Sequence, residues 1–203
     1  MSSNATSLHT LVLASTSPRR QELIRLLGLP VEIVPSNVDE DTPSDWTPEQ
    51  IVEGLSRRKA FSVQEKIAGQ ASGSSIVVGS DTIVVLEREV MGKPTDTEDA
   101  IRMLKRLSGR THEVFTGVTC VRVSDGESIT SHRVTQVRMR ELTDEQIKRY
   151  VATGEPMDKA GAYGLQGIGA LLVESIDGDF FNVVGLPVSL VSVMLETYGI
   201  STP

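Results

Sequence analysis

The sequence predicts an α/β protein with one domain, residues 11–203, preceded by a polar tail, residues 1–10. Strand-like apolar runs alternate with helical stretches from the start of the chain. The first of these elements are a strand at Leu11–Ala14, a helix from Pro18, a strand at Val31–Val34 and a helix from Pro48 to about Ala68. The 203 residues, 39% hydrophobic and 23% charged, suffice for one core or two closely joined lobes.

Composition excludes several functional classes. The formal net charge of -7 argues against sequence-independent binding to duplex nucleic acid, which requires a basic face. Cys120 is the only cysteine, so neither an intrachain disulfide nor a thiolate-rich zinc site can form, and the three scattered histidines argue against a histidine-rich metal site. The first nine residues lack signal-peptide features, and no apolar run reaches membrane-spanning length. We therefore expect a cytoplasmic protein that does not bind membranes.

The turn after the first strand has the pattern of a phosphate site. Ser17 stands at the N-cap position and Pro18 at the first helical position, and Arg19 and Arg20 follow at once. Free N–H groups and the positive end of the helix dipole favour an anion there, and two guanidinium groups add charge-assisted hydrogen bonds. The alternative is a capped surface helix with solvated arginines.

An acidic loop separates the second strand from the second helix. It contains Asp39, Glu40 and Asp41 in succession, and spacing alone does not say which of them is functional. The helix that follows contains Lys59. After this helix, the Gly/Ser stretch Gln70–Ser75 predicts an exposed connection.

The stretch Ser75–Leu86 predicts a central strand covered on both faces, because it consists of two apolar runs. Asp81 lies between these runs, and a buried carboxylate is costly unless it is paired, hydrogen-bonded or bound to a metal. The alternative is a turn or bulge at residues 79–82. A hairpin turn at residues 87–89 then predicts a return strand that brings Lys93 near Asp81.

The second half of the chain is predicted to contain three helices, a long antiparallel hairpin and a last short hairpin. The helices follow from capping residues and apolar periodicity, and the hairpins from strand-like runs around turn residues. The helices begin at Asp96 or Thr97, at Thr143 and at Pro187, the long hairpin pairs Thr111–Val123 with Ser128–Met139, and the short hairpin joins Leu171–Val173 to Phe180–Val184.

A glycine-dense loop, Glu155–Gly169, precedes the last hairpin. Glycines allow the backbone to approach a ligand closely, which suggests a binding loop. Mobility or tight packing explains the glycines equally well, so the sequence leaves both alternatives open.

Several stretches form an ordered set: Leu13–Arg20, Gly79–Thr82, Gly92–Pro94, Leu107–Arg110, Glu155–Gln166 and Val184–Pro187. Together they resemble the signatures of the Maf family of nucleoside triphosphate pyrophosphatases, first named for septum formation. The resemblance covers nearly the whole chain, from about Leu11 to Tyr198. One signature alone would be weak, whereas the ordered set is specific.

The resemblance implies an elongated α/β fold, in which a mixed twisted sheet with flanking helices forms two lobes around a central cleft. This fold is similar to that of inosine-triphosphate pyrophosphatase, and the family members are commonly homodimers. The implied reaction is attack of water on the α-phosphorus of a nucleoside triphosphate, giving a monophosphate and pyrophosphate.

The family's functional residues match this sequence position by position. Asp81 matches the catalytic base, and Glu40 matches an acidic residue that helps hold a divalent cation, Mg²⁺ or Mn²⁺, together with Asp81. Lys59 and Lys93 complete the expected catalytic set. The expected substrate-binding residues are Ser15, Arg19, Arg20, Thr82, Asp158, Lys159 and Gln166.

Three of these positions bear on the substrate base. Arg19, Thr82 and Gln166 agree with the branch of the family that acts on dTTP and UTP, whereas the branch that acts on 7-methyl-GTP has Trp, Gln and Glu there. The resemblance therefore implies a house-cleaning pyrophosphatase for pyrimidine triphosphates, including modified ones. The alternative is a nucleotide-binding regulator of cell division whose hydrolysis is incidental.

Overall fold

One long strand, β3, organises the sheet. The computed structural model describes residues 9–69 and 75–203. Residues 1–8 of the predicted tail and residues 70–74 of the predicted Gly/Ser connection therefore lie outside the described residues. Within these ranges, seven strands form one mixed sheet in the order β2-β1-β3-β5-β6-β7, with β4 paired to β3. The strands are β1 (Leu11–Leu13), β2 (Val31–Ile33), β3 (Ile76–Leu86), β4 (Glu89–Met91), β5 (Thr111–Arg122), β6 (Ser128–Met139) and β7 (Val173–Asp177).

Helices cover both faces of this sheet. Local sequence explains their first turns: the second helix begins with a capping box formed by Thr47 and Gln50, and the third has Asp96 as its N-cap. The α-helices are α1 (Pro18–Arg25), α2 (Pro48–Ile67), α3 (Thr97–Leu107), α4 (Asp144–Val151), α5 (Phe180–Val184) and α6 (Val188–Glu196), and short 3-10 helices span Glu155–Asp158, Ala160–Ala162 and Ile168–Leu172.

Alternate residues of β3 face two differently covered sides of the sheet. On one side, Val78 packs with α1, α5 and α6, and Val84 packs with α3 and α4. The polar residues Ser80 and Thr82 separate these two apolar clusters on the same side. The other side of β3 packs beneath α2 through residues such as Val77. The sheet thus connects two apolar clusters with a polar boundary between them.

Two glycines let α2 lie directly on the sheet. A Cβ atom on Gly79 would lie 2.3 Å from the carbonyl oxygen of Ser56, and one on Gly117 would lie 2.3 Å from that of Val52. Gly117 is the partner of Asp81 across the β3–β5 pair. This close approach places α2 next to the carboxylate of Asp81.

The structure confirms the α/β class, the long β5–β6 hairpin and the unbroken central strand, so the predicted alternative of a turn at residues 79–82 is wrong. The predicted last hairpin is also wrong, because residues 173–177 pair with β6 and Phe180–Val184 is helical. Short apolar runs do not distinguish strand from helix, and here Asp179 caps the helix while Gly185, at φ +119°, ends it. No helix in the described ranges is long and apolar enough to cross a membrane.

Candidate active site

All the predicted site residues line one cleft of about 680 Å³. They come from separate parts of the chain: the β1–α1 turn, the start of α1, the acidic loop, α2, the middle of β3, the segment after β4, and the glycine-dense loop. The residues that the structure brings together are Ser15, Arg19, Arg20, Glu40, Lys59, Asp81, Thr82, Lys93, Asp158, Lys159 and Gln166.

A lysine between two carboxylates forms the centre of the cleft. Lys59 Nζ lies 2.6 Å from Asp81 Oδ1 and 2.6 Å from Glu40 Oε1. The Lys59 and Asp81 side chains are each 10% exposed, whereas that of Glu40 is 59% exposed. The contact with Lys59 uses Oδ1 of Asp81, which leaves Oδ2 to accept a hydrogen bond from water. Lys59 is therefore a buried ion-pair partner, in contrast to a solvated lysine on a surface helix.

Glu40 is the acidic-loop residue that reaches this centre, since Asp39 and Asp41 do not line the cleft. Burial alone would raise the pKa of Glu40, but its hydrogen bond and attraction to Lys59, helped by Lys93 and Arg20, bring the pKa below its ordinary value. The structure thus answers a question that the spacing of the three acidic residues left open.

Two residues that sequence reasoning missed hold the acidic loop in place. Arg58 Nη1 donates to the carbonyl oxygens of Asp39, at 3.2 Å, and Asp41, at 2.6 Å. The Arg58 guanidinium also lies 5.6 Å from the ring centroid of Trp46, whose ring packs against Gly54 of α2. The one feature of the sequence that pointed to this contact was Trp46, the only tryptophan of the chain, which lies close to the acidic loop.

The serine side chains of the β1–α1 turn do not cap the first turn of α1. Ser17 occupies the N-cap position, but its side chain makes no capping hydrogen bond. Instead, Ser15 Oγ accepts a hydrogen bond from the Ser17 N–H at 3.1 Å. The predicted N-cap position of Ser17 and the helix start at Pro18 are therefore confirmed, but the cap lacks a side-chain hydrogen bond.

Arg20 links the first helix to the polar boundary in the sheet. Its Nε donates to the carbonyl oxygen of Gly185 at 2.8 Å, and its Nη2 donates to Thr82 Oγ1 at 3.0 Å. Burial lowers the pKa of the Arg20 guanidinium, and attraction to Asp81 opposes this effect. Ser80 Oγ donates to the same Gly185 carbonyl at 3.0 Å. Arg20 thus has a packing role besides any contact with substrate.

The opposite wall of the cleft carries Asp158 and Lys159. Asp158 Oδ1 lies 2.6 Å from Lys159 Nζ, and Asp158 Oδ2 lies 3.2 Å from Arg19 Nη1. Burial alone would raise the pKa of Asp158, but Lys159 and Arg19 together bring it below its ordinary value. The Arg19–Asp158 pair therefore connects α1 with the glycine-dense loop across the cleft.

The glycines of the loop serve close packing within the protein. A Cβ atom on Gly164 would lie 2.6 Å from Lys159 Cε, and one on Gly167 would lie 2.7 Å from Glu155 Oε2. Of the two alternatives that the sequence left open, tight packing accounts for these positions. Gln166 lies between these two glycines, exposed on the cleft wall.

The chemistry of the central carboxylates suits a divalent cation. In the described ranges, no three His, Cys, Asp or Glu side chains cluster as a complete metal site. Asp81 and Glu40 nevertheless converge on one ammonium group, so their oxygens face a common cation position. Two carboxylates fit Mg²⁺, which commonly binds through one or two carboxylates, substrate phosphates and water.

Comparison with known proteins identifies the family. The family model described as "Maf-like protein" matches residues 10–198. This chain belongs to the Maf family. Among curated relatives of this Maf protein, the dTTP/UTP pyrophosphatase of Acetivibrio thermocellus is 50% identical over 193 residues, which cover 94% of this chain and 96% of the relative. Those of Desulforamulus reducens and Thermoanaerobacter sp. are 45% identical (95% and 98% covered) and 51% identical (88% and 91% covered).

A solved structure, that of the Staphylococcus aureus Ham1 protein, has a TM-score of 0.46 at 12% sequence identity. The matched region covers 65% of this Maf chain and 72% of that chain. This likeness is too slight to bear on the function of the Maf protein.

Proposed function

We propose that this Maf protein hydrolyses dTTP and UTP, and modified pyrimidine triphosphates, to the nucleoside monophosphate and pyrophosphate. The observation that carries the proposal is the Asp81–Lys59–Glu40 arrangement at the centre of a cleft lined with further cations. The names of its relatives, dTTP/UTP pyrophosphatases at about half sequence identity, support the same substrates.

The chain's own residues supply the parts of a hydrolytic mechanism. Asp81 Oδ2 accepts the proton of the attacking water as general base, while Lys59 holds the carboxylate through Oδ1. Arg19, Lys93 and Lys159 line the cleft and bind the triphosphate, and their charges stabilise the negative charge that develops on the leaving pyrophosphate.

Arg19 and Lys159 are both paired with Asp158 before substrate binds. A triphosphate must therefore compete with Asp158 for these two cations. Because both pairs involve a largely exposed carboxylate, they cost little to exchange.

A divalent cation, Mg²⁺ or Mn²⁺, belongs to the proposal. Glu40 and Asp81 would hold it, with the substrate phosphates as further oxygen ligands. When bound, the cation neutralises phosphate charge and polarises the phosphoryl group.

The base is selected by Gln166 in this proposal. A uracil or thymine edge offers carbonyl acceptors and one N–H donor, and a glutamine amide both donates and accepts hydrogen bonds. A glutamate at this position would instead suit the donor-rich edge of guanine. Thr82 and Arg19 complete the pyrimidine pattern, and Thr82 Oγ1 is held by Arg20 and by Thr116 Oγ1 at 2.9 Å.

The expected assembly follows from the family resemblance, and the expected location from the composition of the chain. We expect a homodimer that works in the cytoplasm without binding nucleic acid, consistent with the net charge of -7. Light scattering coupled to size-exclusion chromatography measures the oligomeric state directly.

Pyrophosphate release tests the proposal. The purified protein is incubated with dTTP, UTP, CTP, GTP, ITP and 7-methyl-GTP, with Mg²⁺ or Mn²⁺ or with a chelator, and the products are identified. Asp81→Asn should lose about 10²–10⁴-fold in turnover while it still folds and binds nucleotide. Asp177→Asn, which removes an exposed carboxylate on β7, is the matched control. Nucleotide binding without turnover by the unmodified protein would favour the regulator of cell division.

A further inference from the structure

A carboxylate outside the cleft holds the loop that carries Gln166. Glu155 begins the first 3-10 helix and does not line the cleft. Its Oε1 accepts hydrogen bonds from the Gly169 N–H and the Tyr150 hydroxyl, both at 2.9 Å. Its Oε2 accepts a hydrogen bond from the Ile168 N–H at 3.0 Å. One side chain therefore binds two successive backbone N–H groups just after Gln166.

Tyr150 holds the other end of the same segment. Its hydroxyl donates to Glu155 and accepts a hydrogen bond from the Gly164 N–H at 3.3 Å. The Tyr150–Glu155 pair thus contacts residues 164, 168 and 169, and Gln166 lies midway between these contacts. We call residues 164–169 the base loop.

Two glycines of the base loop allow Glu155 and Tyr150 to approach its backbone closely. A Cβ atom on Gly167 would lie 2.7 Å from Glu155 Oε2, and one on Gly169 would lie 2.6 Å from the Tyr150 hydroxyl. Burial alone would raise the pKa of Glu155, but hydrogen bonds from Gly169, Ile168 and Tyr150 bring it below its ordinary value. The ionised carboxylate is thus the form that the base loop binds.

The backbone of Glu155 acts on the phosphate side as well. Its carbonyl oxygen accepts a hydrogen bond from Lys159 Nζ at 2.6 Å. Lys159 in turn contacts Asp158, which pairs with Arg19 across the cleft. A side-chain substitution at Glu155 removes the contacts to the base loop and leaves this carbonyl in place.

We propose that Glu155 is a specificity-determining positioning residue, which together with Tyr150 clamps both ends of the base loop and so sets where Gln166 meets the substrate base. This inference rests on the proposed function, since it requires that Gln166 contacts the base. Glu155 itself does not touch the substrate. Its effect on base choice is indirect, because a displacement of about 1 Å at a recognition group can cost 100-fold in rate.

Glu155→Gln tests the clamp, because the amide keeps the shape but replaces one acceptor oxygen with a donor that faces backbone N–H groups. We expect kcat/KM for dTTP to fall by about tenfold or more, and the ratio of dTTP to ITP turnover to fall with it. Amide hydrogen exchange at residues 168 and 169 should accelerate. Glu196→Gln, which removes an exposed carboxylate on α6, is the matched control and should change neither readout.

Tyr150→Phe is the second variant, and it keeps the test decisive if Glu155→Gln fails to fold. It leaves the contacts of Glu155 to residues 168 and 169 but removes those to the Tyr150 hydroxyl, so the ratio of dTTP to ITP turnover should fall by a smaller factor. An equal fractional loss on all substrates would overturn the inference, and so would unchanged exchange at residues 168 and 169 in Glu155→Gln or at Gly164 in Tyr150→Phe. Absence of pyrophosphate release by the unmodified protein would instead overturn the proposed function, and the exchange measurement would still test the clamp.

Discussion

Replacing Lys59 with methionine should destabilise the fold as well as stop turnover. The substitution keeps the aliphatic stem but leaves Asp81, whose side chain is 10% exposed, without its cation. Removal of one partner from a buried ion pair costs about 3–5 kcal/mol. Because this pair borders an open cleft, we expect the lower end, about 3 kcal/mol. Glu40, at 59% side-chain exposure, can turn to solvent and should add little.

A double-mutant cycle isolates the pair. Urea unfolding of Lys59→Met, Asp81→Asn and the double variant gives the coupling free energy, which should reach about 2 kcal/mol because the two side chains share one contact. The double variant should accordingly be more stable than the sum of the two single changes predicts. Lys93→Met is the matched control, since Lys93 is exposed, and its unfolding free energy should change by less than about 0.5 kcal/mol.

Two results would refute this reasoning. Additive effects of Lys59→Met and Asp81→Asn would mean that the two side chains do not interact in solution. Unchanged stability of Lys59→Met would mean that Asp81 is well solvated without it. In either case the role of Lys59 would be limited to contacts with substrate.

Three further predictions concern pH, packing and base choice. Burial lowers the pKa of His112 to about 4, below the pKa near 6.5 that histidine has in the unfolded chain. His112 therefore contributes stability that is fully present above about pH 6.5 and is lost as the pH falls, by about 2 kcal/mol between pH 7 and pH 5. In urea unfolding measurements, His112→Gln should remove this part of the pH dependence. Gly117→Ala should lower the free energy of unfolding by about 3 kcal/mol or more, because the new Cβ atom would meet the Val52 carbonyl group. Gly92→Ala should leave it nearly unchanged, because the space around Gly92 is open. Equal melting temperatures for the two variants would contradict this prediction. Gln166→Glu should reduce dTTP and UTP turnover more than that of other triphosphates, and together with Arg19→Trp and Thr82→Gln it should shift preference toward 7-methyl-GTP; equal losses across the substrate panel would remove the specificity assignment.

Local sequence patterns accounted for most of the elements. The capping box at Thr47, the cap at Asp96 and the turn residues between β5 and β6 act within a few residues, so they could be interpreted without the fold. Phe180–Val184 was assigned wrongly because a run of five residues, four of them apolar, suits either a strand or a helix. The Phe181 N–H donates a hydrogen bond to Asp179 Oδ1 and so caps this helix. The apolar pattern of the segment does not predict this bond.

The sequence by itself determined the α/β class, the family and the identity of the residues that gather in the cleft, because ordered motifs and hydrophobic periodicity are properties of the chain alone. Only the tertiary structure decided how those residues are used. It selected Glu40 over Asp39 and Asp41, paired Lys59 with Asp81, and showed Glu155 behind the base loop. These contacts join residues that are far apart in the chain, and the close packing of α2 on Gly79 and Gly117 is what brings the central ones within bonding distance.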